Sequence, residues 1–197
     1  MTNLSKRLLA VTSFVELEDV LIDIGCDHGL TSIYLTENKL CKKIICSDIN
    51  EKALQNAKNN IQRRKLNIET YLSDGINNID LTDINSLIIT GMGTSTILHI
   101  LSDKQKLKRI NKLIIQSNND HNILRKELNN KGFFLHEETY TYDKGKWYIT
   151  MKFIHNNKNN TSKEVEYGYL NNSEYNKYLL NQQKAIVKKI PVKKLML

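Results

Sequence analysis

Five short apolar runs, each followed by residues with helical spacing, constrain the fold of this 197-residue chain more than any other feature. They are VLIDI at 20–24, KIICSD at 43–48, NIETYL at about 67–72, SLIIT at 86–90 and KLIIQ at 112–116. Strands alternating with helices build βαβ units, and the crossover in each unit makes neighbouring strands parallel. Helices are expected at 29–38, 50–65, from 94 to 101, and at 120–131. In the second, Ala53, Leu54, Ala57 and Ile61 share one face and Asn50 stands where an N-cap belongs. After Gly132 the pattern changes: FFLHEETY (133–140) and WYITMKFI (147–154), joined by the turn-like YDKGK, read as an antiparallel hairpin. The expected architecture is α/β, a Rossmann-like sheet of parallel strands with a terminal antiparallel hairpin, over residues 1–155. An asparagine-rich segment at 155–163 then leads to a short basic helical C-terminal extension, 163–197. Its helix is expected at 173–190, ended by Pro191, and it is too small for a core of its own.

Composition removes several classes. No apolar run approaches the roughly 18 residues of a membrane span, and the N-terminus lacks a signal-peptide pattern, so a cytoplasmic protein with no membrane partner is expected. Cys26, Cys41 and Cys46 form no C-x-x-C pair, and the five histidines show no ligand spacing, so no metal is expected and the thiols read as reduced. The net charge of +8 points to an anionic partner. Seven basic residues against two acidic ones fall in 41–66, while 67–100 holds four acids and no base. Nucleic acid fits this distribution; solvated helix faces are the alternative.

In an open parallel sheet the ligand lies beyond the carboxyl ends of the strands, where the strand order reverses. That rule gathers five loops: Asp23-Ile-Gly25-Cys26-Asp27-His28-Gly29, Asp48 with Ile49, Ser73-Asp74-Gly75, Gly91-Met92-Gly93 and Gln116-Ser117-Asn118. Asp48 is placed to accept hydrogen bonds from both ribose hydroxyls of an adenosine, which suits NAD and S-adenosylmethionine equally. The first loop separates the two. A pyrophosphate wants bare N–H groups at a helix N-terminus, and Asp23 and Asp27 would repel it. S-adenosylmethionine brings a sulfonium and an ammonium instead, and acids suit both. Asp74 can accept from an adenine amine, with Gly75 allowing close approach. Five parallel strands followed by a hairpin also lean toward a class I methyltransferase. The loop after the fourth strand, Thr90-Gly91-Met92-Gly93, lacks the D/N-P-P-Y tetrad used on exocyclic amines, and the fourth- and fifth-strand loops carry no cysteine nucleophile. An acceptor that is already nucleophilic fits, such as adenine N1. Asp27 is then the candidate to stabilise the charge that develops on the ring, and His28 to orient the base.

Together these stretches resemble the bacterial tRNA adenine-N1 methyltransferases that act on adenosine 22 of the D-arm. The resemblance is carried by Ser5-Lys6-Arg7-Leu8, Asp23 to His28, Ser47-Asp48-Ile49-Asn50, Leu72 to Gly75, Thr90 to Gly93, Ile114 to Asn118 and Gly145-Lys146-Trp147-Tyr148. It implies S-adenosyl-L-methionine as cofactor, tRNA as partner, and a Rossmann-like domain followed by a helical, coiled-coil-like one. It places Asp27, His28, Met92 and Gln116 at the reaction. Cofactor contacts fall to Asp23, Gly25, Cys26, Gly29, Asp48, Ile49, Asp74, Gly75, Gly91 and Gly93. The chain departs from the family where Ala-Tyr-Leu-Pro is replaced by Gly29-Leu30-Thr31-Ser32, Q-P-N by Gln116-Ser117-Asn118, and the last glycine of G-M-G-G by Thr94. Trp147 and Tyr148 are candidates to stack on the base, with hairpin packing as the other role. Basic helices at 50–65 and 104–112, with the tail, are expected to hold RNA backbone. A monomer is expected. A class I methyltransferase with another base or a small molecule as acceptor, and a non-catalytic cofactor- and RNA-binding module, stay open; an NAD-dependent oxidoreductase is disfavoured by the loop acids.

Overall fold

The computed structural model describes residues 2–156, 158–169 and 173–180. All five expected parallel strands form: β1 (Val20–Ile24), β2 (Lys43–Asp48), β3 (Thr70–Leu72), β4 (Ser86–Met92) and β5 (Lys112–Ser117). With β6 (Phe133–Asp143) and β7 (Lys146–His155) they make one sheet in the order β3-β2-β1-β4-β5-β7-β6. β7 lies between β5 and β6 and runs antiparallel to both. The hairpin is longer than expected, because its strands run through YDKGK and leave only Lys144 (φ 48°) and Gly145 (φ 82°) in the turn. Two successive positive φ values give a turn whose twist matches that of the strands it joins. At the other edge β3 is shorter than expected, with only Thr70–Leu72 paired to β2.

The helices are α1 (Lys6–Thr12), α2 (Leu30–Glu37), α3 (Glu51–Arg63), α4 (Thr94–Ile100), α5 (Lys104–Leu107), α6 (His121–Asn130) and α7 (Ser162–Tyr167). Strand residues alternate between two apolar layers, as the pleat requires. Ile22, Leu87, Ile89 and Ile115 face Ile97, Leu124 and Leu128 of α4 and α6, while Leu21, Ile44, Ile88 and Ile114 face Val11, Phe14 and Leu35. Leu54, Ala57 and Ile61 dock α3 against Cys26, Ile33 and Cys46, and Asn50 caps it by accepting from Ala53 N–H at 3.1 Å.

Residues 104–112 do not form the expected basic helix. Helix α5 is a single turn, and Lys112 opens β5, buried at the foot of the sheet with its ammonium 2.8 Å from both carboxylate oxygens of Asp19 and 3.0 Å from Glu16. The Lys106 ammonium donates to the carbonyl of Ile76 at 2.7 Å. These two cations hold the fold together, a role that charge counting cannot separate from RNA contact.

The polar stretch after β7 is tied down. Asn160 donates to and accepts from the backbone of Leu135 at 3.1 and 2.7 Å, as a neighbouring strand would, and Thr161 with Glu164 forms a capping box that starts α7. Glu138, buried in β6, pairs with Arg125 at 2.9 Å, contacts the Tyr140 hydroxyl and accepts the Tyr169 N–H at 2.6 Å. A helix is present at 173–180, where Tyr175 packs on Tyr140 with ring centroids 4.5 Å apart. The rest of the expected 173–190 helix, and Pro191, lie outside the described residues.

Candidate functional site

A cavity of about 470 Å³ opens beyond the carboxyl ends of β1, β2 and β4, where the strand order reverses. Its walls come from the β1–α2 loop, Asp48, the end of β4 and the first turns of α1.

The β1–α2 loop has glycine-loop geometry, but four of its N–H groups are bonded within the protein. Gly25 and Cys26 both donate to the carbonyl of Ser47, at 2.8 and 3.0 Å, and Gly29 donates to Cys26 O at 2.8 Å. Asp27 N–H donates to Asp48 Oδ2 at 3.0 Å. A phosphate would need those donors free, and they are taken. Gly25 has the left-handed φ of 70° that disfavours any side chain, and a Cβ there would also push aside the end of the Met92 side chain. Gly29 (φ 67°) has another reason to be glycine: a Cβ there would lie 3.2 Å from that of Ala57, so it sets the packing of α2 on α3.

Carboxylates dominate the cavity. Asp23 is buried and accepts from Ser32 Oγ at 2.8 Å; burial lifts its pKa to about 6, and the nearby charge of Asp48 adds to the rise. Ser32 is one of the residues that depart from the family pattern, and its hydroxyl is what holds this acid. Asp48 is also buried and grips the loop through Oδ2 and Asn50 N–H through Oδ1 at 2.9 Å. Asp27 and His28 are largely open to solvent, with Nε2 3.7 Å from the Asp27 carboxylate. The Cys26 thiol is pushed up strongly by its hydrogen bond to Cys46 and by burial, so it stays neutral.

Of the sequence-selected residues, Asp23, Gly25, Cys26, Asp27, His28, Asp48, Gly91 and Met92 line the cavity together. Ile49, exposed by 68%, and the exposed Asp74 lie outside its walls, although the Ser73 N–H to Asp48 O bond of 3.0 Å sets the Asp74 loop beside Asp48. Gly75 (φ 60°) faces Ile100 rather than the cavity. Gly93 precedes α4, next to Asn119. Gln116 is fully buried behind the wall and touches the cavity through Arg7, whose Nη1 donates to Gln116 Oε1 at 2.7 Å. Arg7 belongs to a stretch that carried the family resemblance, but nothing in the sequence singled it out as a site residue; only the packing of α1 against β6 and β7 brings it here. Trp147 packs among Tyr142, Tyr175 and Tyr178, whereas the Tyr148 ring sits by two cations, 5.5 Å from Arg7 and 5.3 Å from Lys146.

A sheet with this strand order and reversed β7, carrying a carboxylate-rich glycine loop at its switch point, defines a class I methyltransferase. A family model described as a methyltransferase domain matches residues 4–151. The tRNA (adenine(22)-N(1))-methyltransferase of Bacillus subtilis is 31% identical over 148 residues, 74% of this chain, and the match spans 62% of that relative's length. The solved structure of Mycoplasma capricolum TrmK with S-adenosyl-homocysteine superposes with a TM-score of 0.84 at 31% identity, covering 95% of this chain and 88% of that one. A Streptococcus agalactiae protein described as a member of the NADB-Rossmann superfamily superposes with a TM-score of 0.88 at 30% identity, over 98% and 89% of the two chains. The chain belongs to the TrmK-like family of tRNA (m1A22) methyltransferases.

Proposed function

We propose that this protein transfers a methyl group from S-adenosylmethionine to N1 of adenosine 22 in the D-arm of tRNA, in the cytoplasm. The observation that carries the reading is the β1–α2 loop, where the N–H groups of Gly25, Cys26, Asp27 and Gly29 are bound internally while Asp23, Asp27 and Asp48 face one cavity. Such a site suits a cationic adenosine derivative and rejects a dinucleotide. The names of the relatives supply the acceptor.

When bound, S-adenosylmethionine supplies a methyl group made electrophilic by its sulfonium. Asp48 accepts from the ribose hydroxyls with the lone pairs that the Asp27 and Asn50 N–H groups leave. Asp23 sets a negative potential under the aminoacyl end. The exposed Asp74, next along from Asp48, takes the adenine amine, and Gly25 and Gly91 let the ligand approach the backbone. Adenine N1 needs no deprotonation, so positioning dominates. Methylation leaves the ring cationic, and Asp27 at the cavity mouth stabilises that charge while His28 orients the base. N1 lies on the Watson–Crick edge, so the adenosine must leave its pair or stack first. The exposed basic residues Lys52, Lys58 and Arg63 are carried on α3, the helix whose Asn60 donates to His28 O at 3.0 Å, and serve the RNA backbone. Residues 1–155 form the methyltransferase unit, and 163–197 add a basic extension.

Labelled S-adenosylmethionine with tRNA transcripts carrying adenine or another base at position 22 tests the assignment. Label only in the adenine transcript is expected; equal label in both would overturn the site.

A further inference from the structure

The end of β4 carries an irregularity that its neighbour β5 completes. Thr90 pairs with Gln116 and Met92 with Ser117, so Gly91 is an extra residue, a bulge, with a φ of 77° that glycine adopts without strain. A bulged residue drops out of the strand ladder, and here its carbonyl is taken by a side chain: Asn118 Nδ2 donates to Gly91 O at 2.7 Å. The Asn118 N–H donates to Met92 O at 2.9 Å, so its backbone and its side chain are both fixed to the end of β4. Gly91 and Met92 line the cavity assigned to the methyl donor. Gln116 and Ser117, the two residues before, are buried, whereas Asn118 is exposed.

These bonds decide which end of the amide is left for a ligand. Turning the Asn118 side chain over would set its oxygen against the Gly91 carbonyl, acceptor against acceptor, so the donor end is committed to the protein. Oδ1 is the end left over. Among the described residues it meets Gln116 Nε2 at a long 3.4 Å, and that amide has its better bond to Ser117 O at 2.9 Å. A neutral acceptor with a lone pair to spare therefore stands at an exposed position, on a side chain already held in place, beside the wall of the donor cavity.

We infer that Asn118 Oδ1 accepts the 6-amino group of the target adenine and so selects the base, an inference that rests on the proposed methylation at N1 and deepens it. N1 and the 6-amino group are neighbours on one edge of the ring. A base that offers N1 to a methyl donor in the cavity brings its amino hydrogens to the wall alongside. Guanine carries a carbonyl at that position, which would face Oδ1 lone pair to lone pair, and its N1 bears a proton. The amide oxygen is thus matched to adenine and mismatched to guanine. Asn118 takes no proton: the amine keeps both hydrogens, and the N1 lone pair stays free to attack.

Methylation kinetics at saturating S-adenosylmethionine test this with two tRNAs that differ only at position 22, one with adenosine and one with purine riboside, which keeps N1 and lacks the amino group. Wild type, Asn118→Ala and Asn118→Asp are compared, each checked by circular dichroism for an unchanged fold. Purine N1 is the less basic, so the readout is how the adenosine-to-purine ratio of kcat/KM changes from protein to protein. Asn118→Ala should lower that ratio about tenfold, the range of one hydrogen bond, by slowing the adenosine tRNA and sparing the purine one. Asn118→Asp keeps an acceptor oxygen and should retain most of the ratio. An equal fall for both tRNAs in Asn118→Ala would assign the residue to holding the Gly91 bulge and overturn the inference. An unchanged ratio would also overturn it, as would a loss in Asn118→Asp as large as in Asn118→Ala. Wild-type protein that leaves the adenosine tRNA unmethylated would refute the reaction itself, a different failure from the loss of base selection alone.

Discussion

The hydroxyls of Thr94 and Ser117 meet at 2.9 Å, and these are two of the positions at which the chain departs from its family's pattern. A glycine at 94 or a proline at 117 would have no hydroxyl to offer. Each departure supplies the other's partner, and both hydroxyls also lie within hydrogen-bond distance of Asn119 O, at 2.6 and 3.0 Å. The segments that follow β4 and β5 are thus joined by side chains. Thr94→Ala and Ser117→Ala should each cost about 1 kcal/mol of stability, and the double variant less than the sum by about 0.5 kcal/mol or more, because they remove one shared bond. Urea denaturation of the four proteins of the cycle measures this.

Asp48 has two tasks, so its substitutions should separate them. The carboxylate holds the Asp27 N–H and the Asn50 N–H, besides facing the cavity. Asp48→Ala should lose about 1–3 kcal/mol of stability by orphaning those donors, as well as cofactor affinity. Asp48→Asn keeps an acceptor for one of them and should melt closer to wild type while S-adenosylhomocysteine affinity still falls tenfold or more. Unchanged affinity in either variant, by calorimetry, would remove Asp48 from the ribose site.

Burial lifts the Asp23 pKa from 3.8 to about 6. The folded state therefore holds this proton more tightly than the unfolded chain. The stability it contributes is complete below about pH 3.8 and is lost as pH rises through 6. Asp23→Asn should leave stability near pH 4 little changed and raise it at pH 8 by up to about 3 kcal/mol, read from urea midpoints. The same proton opposes a cationic ligand, so wild-type affinity for S-adenosylmethionine should rise between pH 5 and 7.5. That rise should be smaller in Asp23→Asn.

The Arg125–Glu138 pair is buried on both sides, with side chains 4% and 0% exposed. Glu138 also receives the Tyr169 N–H, and Gly168 (φ 68°) passes so close that a Cβ would collide with its carboxylate. Glu138→Ala strands the guanidinium and frees the chain after α7, and should cost about 3–5 kcal/mol. Faster proteolytic cleavage near residues 156–169 is the accompanying signature.

The strands and most helices were legible from the sequence because their signal is local. VLIDI and KIICSD hold consecutive apolar residues (Val20–Ile22, Ile44–Cys46) since both faces of a central parallel strand are covered, and α3 shows its 3.6-residue period because only one face is. The loop chemistry at Asp23, Asp27 and Asp48 was legible for a related reason: in this topology every strand's carboxyl end opens on the same site. What each charge does was not, because that depends on partners far along the chain. Lys112 looked like an RNA ligand until Asp19, 93 positions away, proved to hold it. Arg7 stood only within the Ser5-Lys6-Arg7-Leu8 stretch of the resemblance until Gln116, 109 positions on, proved to hold it at the cavity. Apolar spacing acts over one helical turn or one pleat, so the sequence by itself determines the elements and the loops they bring together. Hydrogen bonds and ion pairs take whichever partner folding delivers, so only the tertiary structure decides which acids and bases face the ligand and which face each other.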